Sequence, residues 1–218
     1  MIKVLIPDKH DSYFEDAAGE FSSMWKRITG ERPEITTNGS DSCDMVVFGT
    51  DAENIFTHQM IMDEVIPGFR LRYGTDDYHL LSALRGTQNL LFIAAGNIRS
   101  RFYAVYDFFE RRCNCHYFWD GDRIPDTESI DITGLDVLES PRFEYRGLRY
   151  FAHRSLKRFQ AEHWDFEDWK REFDWVLKKR LNMTMMRIGI EDLFQKAFPD
   201  IVPYPEFGTK APERFQRS

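Results

Sequence analysis

Asn89-Leu90-Leu91-Phe92-Ile93-Ala94, then Gly96-Asn97, then Ile98-Arg99-Ser100-Arg101-Phe102-Tyr103-Ala104-Val105-Tyr106-Asp107-Phe108-Phe109 is the stretch that decides the fold. The first six residues form a short, nearly unbroken apolar run, the pattern of a strand covered on both faces. Asn97 is a residue type that caps helices, because its side-chain oxygen accepts a free backbone N–H of the first turn. After it, Ile98, Phe102, Val105, Tyr106 and Phe109 recur at helical spacing and predict a helix over residues 98–112 packed on a sheet.

Outward from this pair the same alternation continues. Ile2-Lys3-Val4-Leu5-Ile6 reads as a buried strand ended by Pro7 and Asp8. Phe14, Ala17, Ala18, Phe21, Met24, Trp25 and Ile28 mark a helix that stops near Gly30. Met45-Val46-Val47-Phe48 is a second buried strand, residues 54–67 are ambiguous, and Phe69-Arg70-Leu71-Arg72-Tyr73 alternates like a strand with one wet face. Residues 115–119 form a short strand before the turn Asp120-Gly121-Asp122. Strands alternating with helices predict an α/β layer domain over residues 1–125.

Between residues 126 and 140 acidic and turn residues surround Ile130, Ile132, Leu135 and Val137, a linker carrying an edge strand. Residues 143–150 begin a new strand. Asp165 caps a helix with Phe166, Trp169, Phe173 and Val176 on one face, and residues 181–188 are again nearly continuous apolar. Strand, helix, strand is the building unit of a (β/α)8 barrel, with a right-handed crossover between parallel neighbours. A complete barrel takes about 250 residues, whereas fewer than 80 follow Pro141. Residues 141–218 are therefore expected to hold only the start of a barrel, truncated, unless the last third packs differently.

Composition narrows the function. The chain carries 29 Lys and Arg against 36 Asp and Glu, a net charge of −7, which argues against a nucleic-acid binder relying on a basic stripe. Arg99, Arg101, Arg111 and Arg112 alternate with apolar residues on the predicted helix and read as a solvated face. No apolar run approaches the roughly 20 residues of a membrane span. Met1 leads directly into the first strand and leaves no room for a signal peptide within these residues; prior removal of one would imply a secreted or periplasmic protein. Aromatic residues reach 15%, fitting either an aromatic-rich core or a site where flat rings meet the apolar faces of sugars. Cys43, Cys113 and Cys115 are an odd number in a chain this long and not a disulfide framework, and Cys113-Asn114-Cys115-His116 is too crowded for zinc, so neither metal nor cofactor is expected. Asp120 and Asp122 lack the further oxygen ligands of a calcium loop, and Gly96-Asn97-Ile98-Arg99 is not a phosphate loop. Trp169 and Trp175 suit helix-to-sheet packing, Arg171 and Asp174 solvation or packing, and Tyr117 and Trp119 either a core or a sugar platform.

The runs Cys113-Asn114-Cys115-His116-Tyr117-Phe118-Trp119 and Trp169-Lys170-Arg171-Glu172-Phe173-Asp174-Trp175, with Tyr103-Ala104 and Phe143-Glu144-Tyr145-Arg146, resemble the N-terminal part of the family 89 α-N-acetylglucosaminidases. That family places a small α/β accessory domain, with a Tyr-Ala helix and a Cys-x-Cys-His segment, before a catalytic barrel. Pro141-Arg142-Phe143 and Arg146-Gly147 are similar to β-hexosaminidases and α-glucuronidases as well. The resemblance implies the N-terminal portion of an exo-acting glycoside hydrolase whose two catalytic glutamates come from later barrel strands, so no catalytic residue is expected in this chain. It also implies carbohydrate as ligand and the remainder of the barrel as partner.

Barrel active sites form at the C-terminal ends of the strands. His153 and Arg154 follow the first strand and Glu191 the second; these three are the candidate substrate-binding residues. Arg154 falls on the sugar-binding Arg of the β-hexosaminidase Asp-x-x-Arg segment, with Phe151 in place of the Asp. Family 89 supplies an Asn and a Cys from the same loop, where this chain has no Cys. Glu191 matches the Glu of a family Gln-Glu segment, with Ile190 in place of the Gln. N-acetylglucosaminides and glucuronides both remain open as substrates, as does a non-catalytic glycan-binding or assembly module.

Overall fold

The computed structural model describes residues 2–39, 42–148, 164–184 and 196–198. The chain divides into two compact units. One is Met1–Gly147 with Lys170–Met183, the other Leu148–Trp169 with Thr184–Ser218.

The first unit is built on a six-stranded sheet. Chain order is β1 (Ile2–Leu5), α1 (Ser12–Thr29), β2 (Glu34–Thr36), β3 (Asp44–Phe48), α2 (Ile55–Met62), β4 (Tyr78–Arg85), β5 (Gln88–Ala95), α3 (Ile98–Cys113), β6 (His116–Phe118), β7 (Gly121–Arg123) and β8 (Asp136–Glu139). The sheet order is β2-β1-β3-β5-β4-β8. The first four are mutually parallel, with Val4 opposite Val46 and Val46 opposite Leu91. β4 runs antiparallel to both β5 and β8.

Period-two alternation sorts the strand residues onto two faces. Val4, Val46, Phe48, Leu80, Leu91 and Ile93 join α1 and α3 in the larger core, while Leu5, Met45, Val47, Leu81, Leu90 and Phe92 pack with Met60 of α2 and Ile66. Covering on both sides is why residues 45–48 and 90–95 are apolar without interruption.

Local chemistry sets the helix ends. Asp11 accepts the Phe14 N–H at 3.3 Å to start α1, and Gly30, at φ +83°, ends it by donating its N–H to Lys26 O. At α3 the expected Asn97 cap is a full capping box: Asn97 Oδ1 accepts from Ser100 N–H and Ser100 Oγ from Asn97 N–H.

Three readings of the first unit are corrected. Residues 69–73 are not a strand; Leu71 is buried, and the Arg72 N–H and guanidinium are drawn to Asp77 instead of a neighbouring strand. The strand in this region is β4, joined to β5 by Gly86 and Thr87, with Gly86 at φ +63°. Nor is α3 a one-striped helix: Ile98 is exposed, whereas Arg101, Tyr103, Phe108 and Phe109 are buried, because the helix is covered by the sheet and by α1. Finally, the arginines of α3 do not form one solvated face: Arg99 and Arg111 are exposed, but Arg101 is not. Arg101 is 3% exposed, its guanidinium 3.4 Å above the Phe14 ring and 3.1 Å from Glu53, while Arg99 pairs with Asp76 and Arg111 with Asp107 and Glu139.

The 126–140 segment does carry an edge strand, β8, and more than that. Ile132 and Leu135 enter the larger core, and Ser82 of β4 binds Ile132 O and both backbone groups of Leu135. Compactness of the first unit extends through Gly147.

Beyond β8 the elements are β9 (Gly147–Leu148), α4 (Phe166–Lys178) and β10 (Met183–Thr184). Asp165 caps α4, accepting the Asp168 N–H at 3.0 Å. In the second unit the Trp164 and Trp169 rings meet edge to face at 4.8 Å. The expected α4 face is corrected: Glu172 and Val176 are its buried residues, whereas Phe166 and Phe173 are 77% and 43% exposed. Glu172 is drawn in because its Oε2 accepts the Trp119 Nε1–H at 2.5 Å. β9 and β10 are neighbours in a two-stranded sheet. The strands expected over 143–150 and 181–188 are corrected at their starts, since residues 143–146 and 181–182 are not strand; residues 149–150 and 185–188 lie outside the described residues.

Candidate functional site

His153, Arg154 and Glu191 also lie outside the described residues. What the structure describes is the approach to the strands that precede them. Asn182 and Met183 donate their N–H groups to Arg146 O at 2.9 and 3.1 Å, and Asn182 Oδ1 accepts the Arg146 N–H at 2.8 Å. A Cβ at Gly147 would lie 2.6 Å from Met183 O, so this crossing requires glycine.

Both segments converge on Asp76, which is 6% exposed. Its Oδ1 accepts from Asn97 Nδ2 at 2.7 Å and Arg99 Nη2 at 3.0 Å. Its Oδ2 accepts from Arg146 Nη2 at 2.6 Å and Asn182 Nδ2 at 2.9 Å. Burial pushes the Asp76 pKa up, but donors from Asn97, Arg146, Asn182 and Arg99 outweigh it and bring the carboxyl down to about 2. The neighbouring Asp77 takes Arg72 bidentately, at 3.0 Å to Nε and 2.9 Å to Nη2. Gly96 seats this loop: a Cβ there would fall 2.6 Å from Arg72 O and 2.7 Å from Thr75 O. Above it opens a cleft of about 410 Å³ whose rim includes Phe143 and Tyr145, 68% and 72% exposed.

A second cluster ties residues 178–182 to α3 and the β6–β7 hairpin. Arg180 Nη1 lies 2.9 Å from both Asp107 and Glu110, Tyr103 donates its hydroxyl to Leu181 O at 2.8 Å, and Lys178 pairs with Asp122 at 2.6 Å. Of the two residues weighed as a sugar platform, Tyr117 is buried in the core and Trp119 is engaged by Glu172. Asp174 pairs with Lys170 on the exposed side of α4. Cys113 and Cys115 are buried free thiols. Among the described residues no group of His, Cys, Asp and Glu is placed to hold a metal ion, and no helix is long and apolar enough to cross a membrane. The strand order reverses between β1 and β3, and the crevice at the carboxyl ends of such strands is where doubly wound sheets bind ligands. Here Arg101 fills it, between Asp11, Phe14 and Glu53.

Two pH responses of opposite sign follow. Asp76 has a folded pKa below its ordinary value, so the stability it lends is complete above pH 3.8 and is lost as pH falls toward about 2. Asp76→Asn is therefore expected to cost about 3 kcal/mol near neutrality and progressively less in acid, checked by denaturant unfolding across that range. Glu172 behaves oppositely. Burial raises its pKa above 4.5, against the lowering hydrogen bond from Trp119, so its contribution is most favourable below the ordinary value and is lost as pH rises through the raised one. Glu172→Gln keeps an acceptor for Trp119 without a charge. It should stabilise the fold near neutral pH and lose that advantage in mild acid; equal effects at both pH values would exclude this account.

Asp76 is invisible in the sequence because Gly74-Thr75-Asp76-Asp77 reads as an ordinary turn, and its partners Arg146 and Asn182 lie 70 and 106 residues further on. Arg146 and Tyr103 do belong to the motifs that carry the family resemblance.

No family model matches the chain. Human α-N-acetylglucosaminidase is 23% identical over 86 residues, covering 39% of this chain and 11% of that protein. A family GH115 4-O-methyl-α-glucuronidase with specificity for decorated arabinogalactans superposes with a TM-score of 0.56 at 16% identity, over 84% of this chain and 24% of its own. The family 89 glycoside hydrolase from Clostridium perfringens, solved in complex with PUGNAc, superposes with a TM-score of 0.51 at 16% identity, over 89% of this chain and 18% of its own. The chain thus spans a quarter or less of each of these proteins, and the mixed α/β fold it forms is one found in glycoside hydrolases.

Proposed function

We propose that this chain is the N-terminal portion of an exo-acting glycoside hydrolase, α-N-acetylglucosaminidase-like, whose catalytic carboxylates lie outside these residues. The observation that carries the reading is the local match to human α-N-acetylglucosaminidase. In this reading residues 1–125 are the accessory domain, 126–140 the linker and 141–218 the start of the catalytic barrel. A retaining glycosidase needs two carboxyl groups about 5–5.5 Å apart, one to attack the anomeric carbon and one to protonate the leaving oxygen. Later barrel strands supply that pair. Arg154, Glu191 and His153 follow the first two strands and bind hydroxyl or N-acetyl groups of the terminal sugar.

An α-glucuronidase-like activity is the second reading, supported by the GH115 superposition; Arg154 then meets the uronate carboxylate. One experiment separates the two. In the full-length protein, Glu191→Ala should lower kcat/KM by the equivalent of about 1–3 kcal/mol, the loss of a buried hydrogen bond to a sugar hydroxyl. The substrate series, N-acetylglucosaminides against glucuronides, identifies the sugar. An unchanged kcat/KM on every accepted substrate excludes the Glu191 role.

A further inference from the structure

We propose that the cleft beside Asp76 and Asp77 is a binding site for a carboxylated sugar, a uronic acid unit of a glycan, whose carboxylate meets Arg72, Arg99 and Arg142 and whose ring lies against Phe143 and Tyr145. The inference goes beyond the function proposed above and does not depend on it. All the residues that line the cleft belong to the first unit, and its volume of about 410 Å³ falls within the roughly 300–1,000 Å³ of small-ligand sites. Four arginines line it against three acids, in a chain whose net charge is −7. Two of those acids are buried and already taken. Asp77 accepts from Nε and Nη2 of Arg72, and Asp76 from the same two atoms of Arg99. Both guanidinium groups are thereby fixed in orientation, yet their side chains remain 63% and 53% exposed. Among the described residues no hydrogen bond occupies the Nη1 of either, and Arg142 is exposed and pairs with nothing. Planar guanidinium donors held in place match the geometry of a carboxylate.

The rim supplies the flat surfaces. Phe143 and Tyr145 are exposed, and among the described residues neither ring packs on another ring or a cation. The backbone beneath them is nevertheless held. Arg146 Nη1 donates to Phe143 O at 2.8 Å and Asn182 Nδ2 to Glu144 O at 2.7 Å, while Arg146 itself is anchored by Nε to Arg180 O and by Nη2 to Asp76. The segment that displays the rings is therefore ordered before any ligand arrives, which removes that part of the cost of binding. Uncovered rings beside fixed cationic donors suit a sugar with an acid group, because its ring presents apolar C–H faces and its carboxylate a planar acceptor. Glu144, exposed and without a partner among the described residues, offers an acceptor to the sugar hydroxyls. A nucleic acid also brings oxyanions and flat rings, but the charge of −7 and the rim acid oppose a polyanionic backbone. A neutral sugar would leave the three guanidinium groups unused.

Isothermal titration of the full-length protein with trigalacturonic acid, and with the same trisaccharide as its neutral methyl ester, tests the site. The acid should bind about ten-fold more tightly than the ester, the difference that charge-assisted hydrogen bonds make, and its binding should weaken as salt is raised. Arg142→Ala should weaken binding of the acid about ten-fold, and Arg142→Lys, which keeps the charge without the planar fork, should weaken it less. Phe143→Ala and Tyr145→Ala should each weaken both ligands about three- to ten-fold. These three side chains are exposed and have no partner among the described residues, so the variants should unfold at the same denaturant midpoint as the parent. Equal binding of acid and ester, binding of neither, or binding of the acid unaltered by Arg142→Ala overturns the proposal. Inactivity of the full-length protein on N-acetylglucosaminides and glucuronides would overturn the glycosidase reading instead, and the titrations would still decide the cleft.

Discussion

Phe21→Ala is expected to cost about 3–5 kcal/mol of folding stability. Phe21 is fully buried on α1, and its ring sits 5.0 Å from that of Phe109, 5.4 Å from Phe108, 5.7 Å from Trp25 and 6.1 Å from Phe48. It therefore joins α1, α3 and β3 at one point. Four large neighbours fixed on three separate elements leave little freedom to collapse into the space, so the loss of transferred surface and the residual cavity add. Domains of this size are stable by only about 5–15 kcal/mol, and the variant should unfold at markedly lower denaturant concentration, with its slope little changed. A cost under about 1 kcal/mol would show that the aromatic cluster is not the centre of the core.

The second large effect concerns activity. The 218-residue chain alone should show no glycoside turnover, because in the proposed function it supplies sugar-binding groups without the acid and the nucleophile. Removing both carboxylates from a glycosidase removes the bond-breaking chemistry itself, an effect of many orders of magnitude. The chain should still fold: its six-stranded sheet, the buried residues of both cores and the caps of α1, α2 and α3 lie within residues 2–139.

Much of this fold is legible in the sequence where a pattern is local. The repeat from Phe14 to Ile28, ending at Gly30, and the apolar runs at 45–48 and 90–94 are decided by their own residues. The β4–β5 hairpin is hidden, although Gly86-Thr87 between apolar runs carries its signal, because the alternation of residues 69–73 imitates a strand nearby. Burial of charge is the least visible feature. Arg101 and Glu172 look like solvated helix residues and are enclosed because Glu53 and Trp119, 48 and 53 residues away, meet them. Asp76 is the same case on a larger scale. Of the candidate site, Arg154, Glu191 and His153 come from their places after the predicted barrel strands, with a family match for Arg154 and Glu191, while the residues around Asp76 come from the three-dimensional arrangement.

The most direct measurement of the central claim is hydrolysis of α-N-acetylglucosaminide and α-glucuronide substrates by the full-length protein and by the highly purified 218-residue chain, side by side. The account predicts release of the terminal sugar by the full-length protein and none by the chain. Reproducible hydrolysis by the chain, or inactivity of the full-length protein on both substrates, would contradict it.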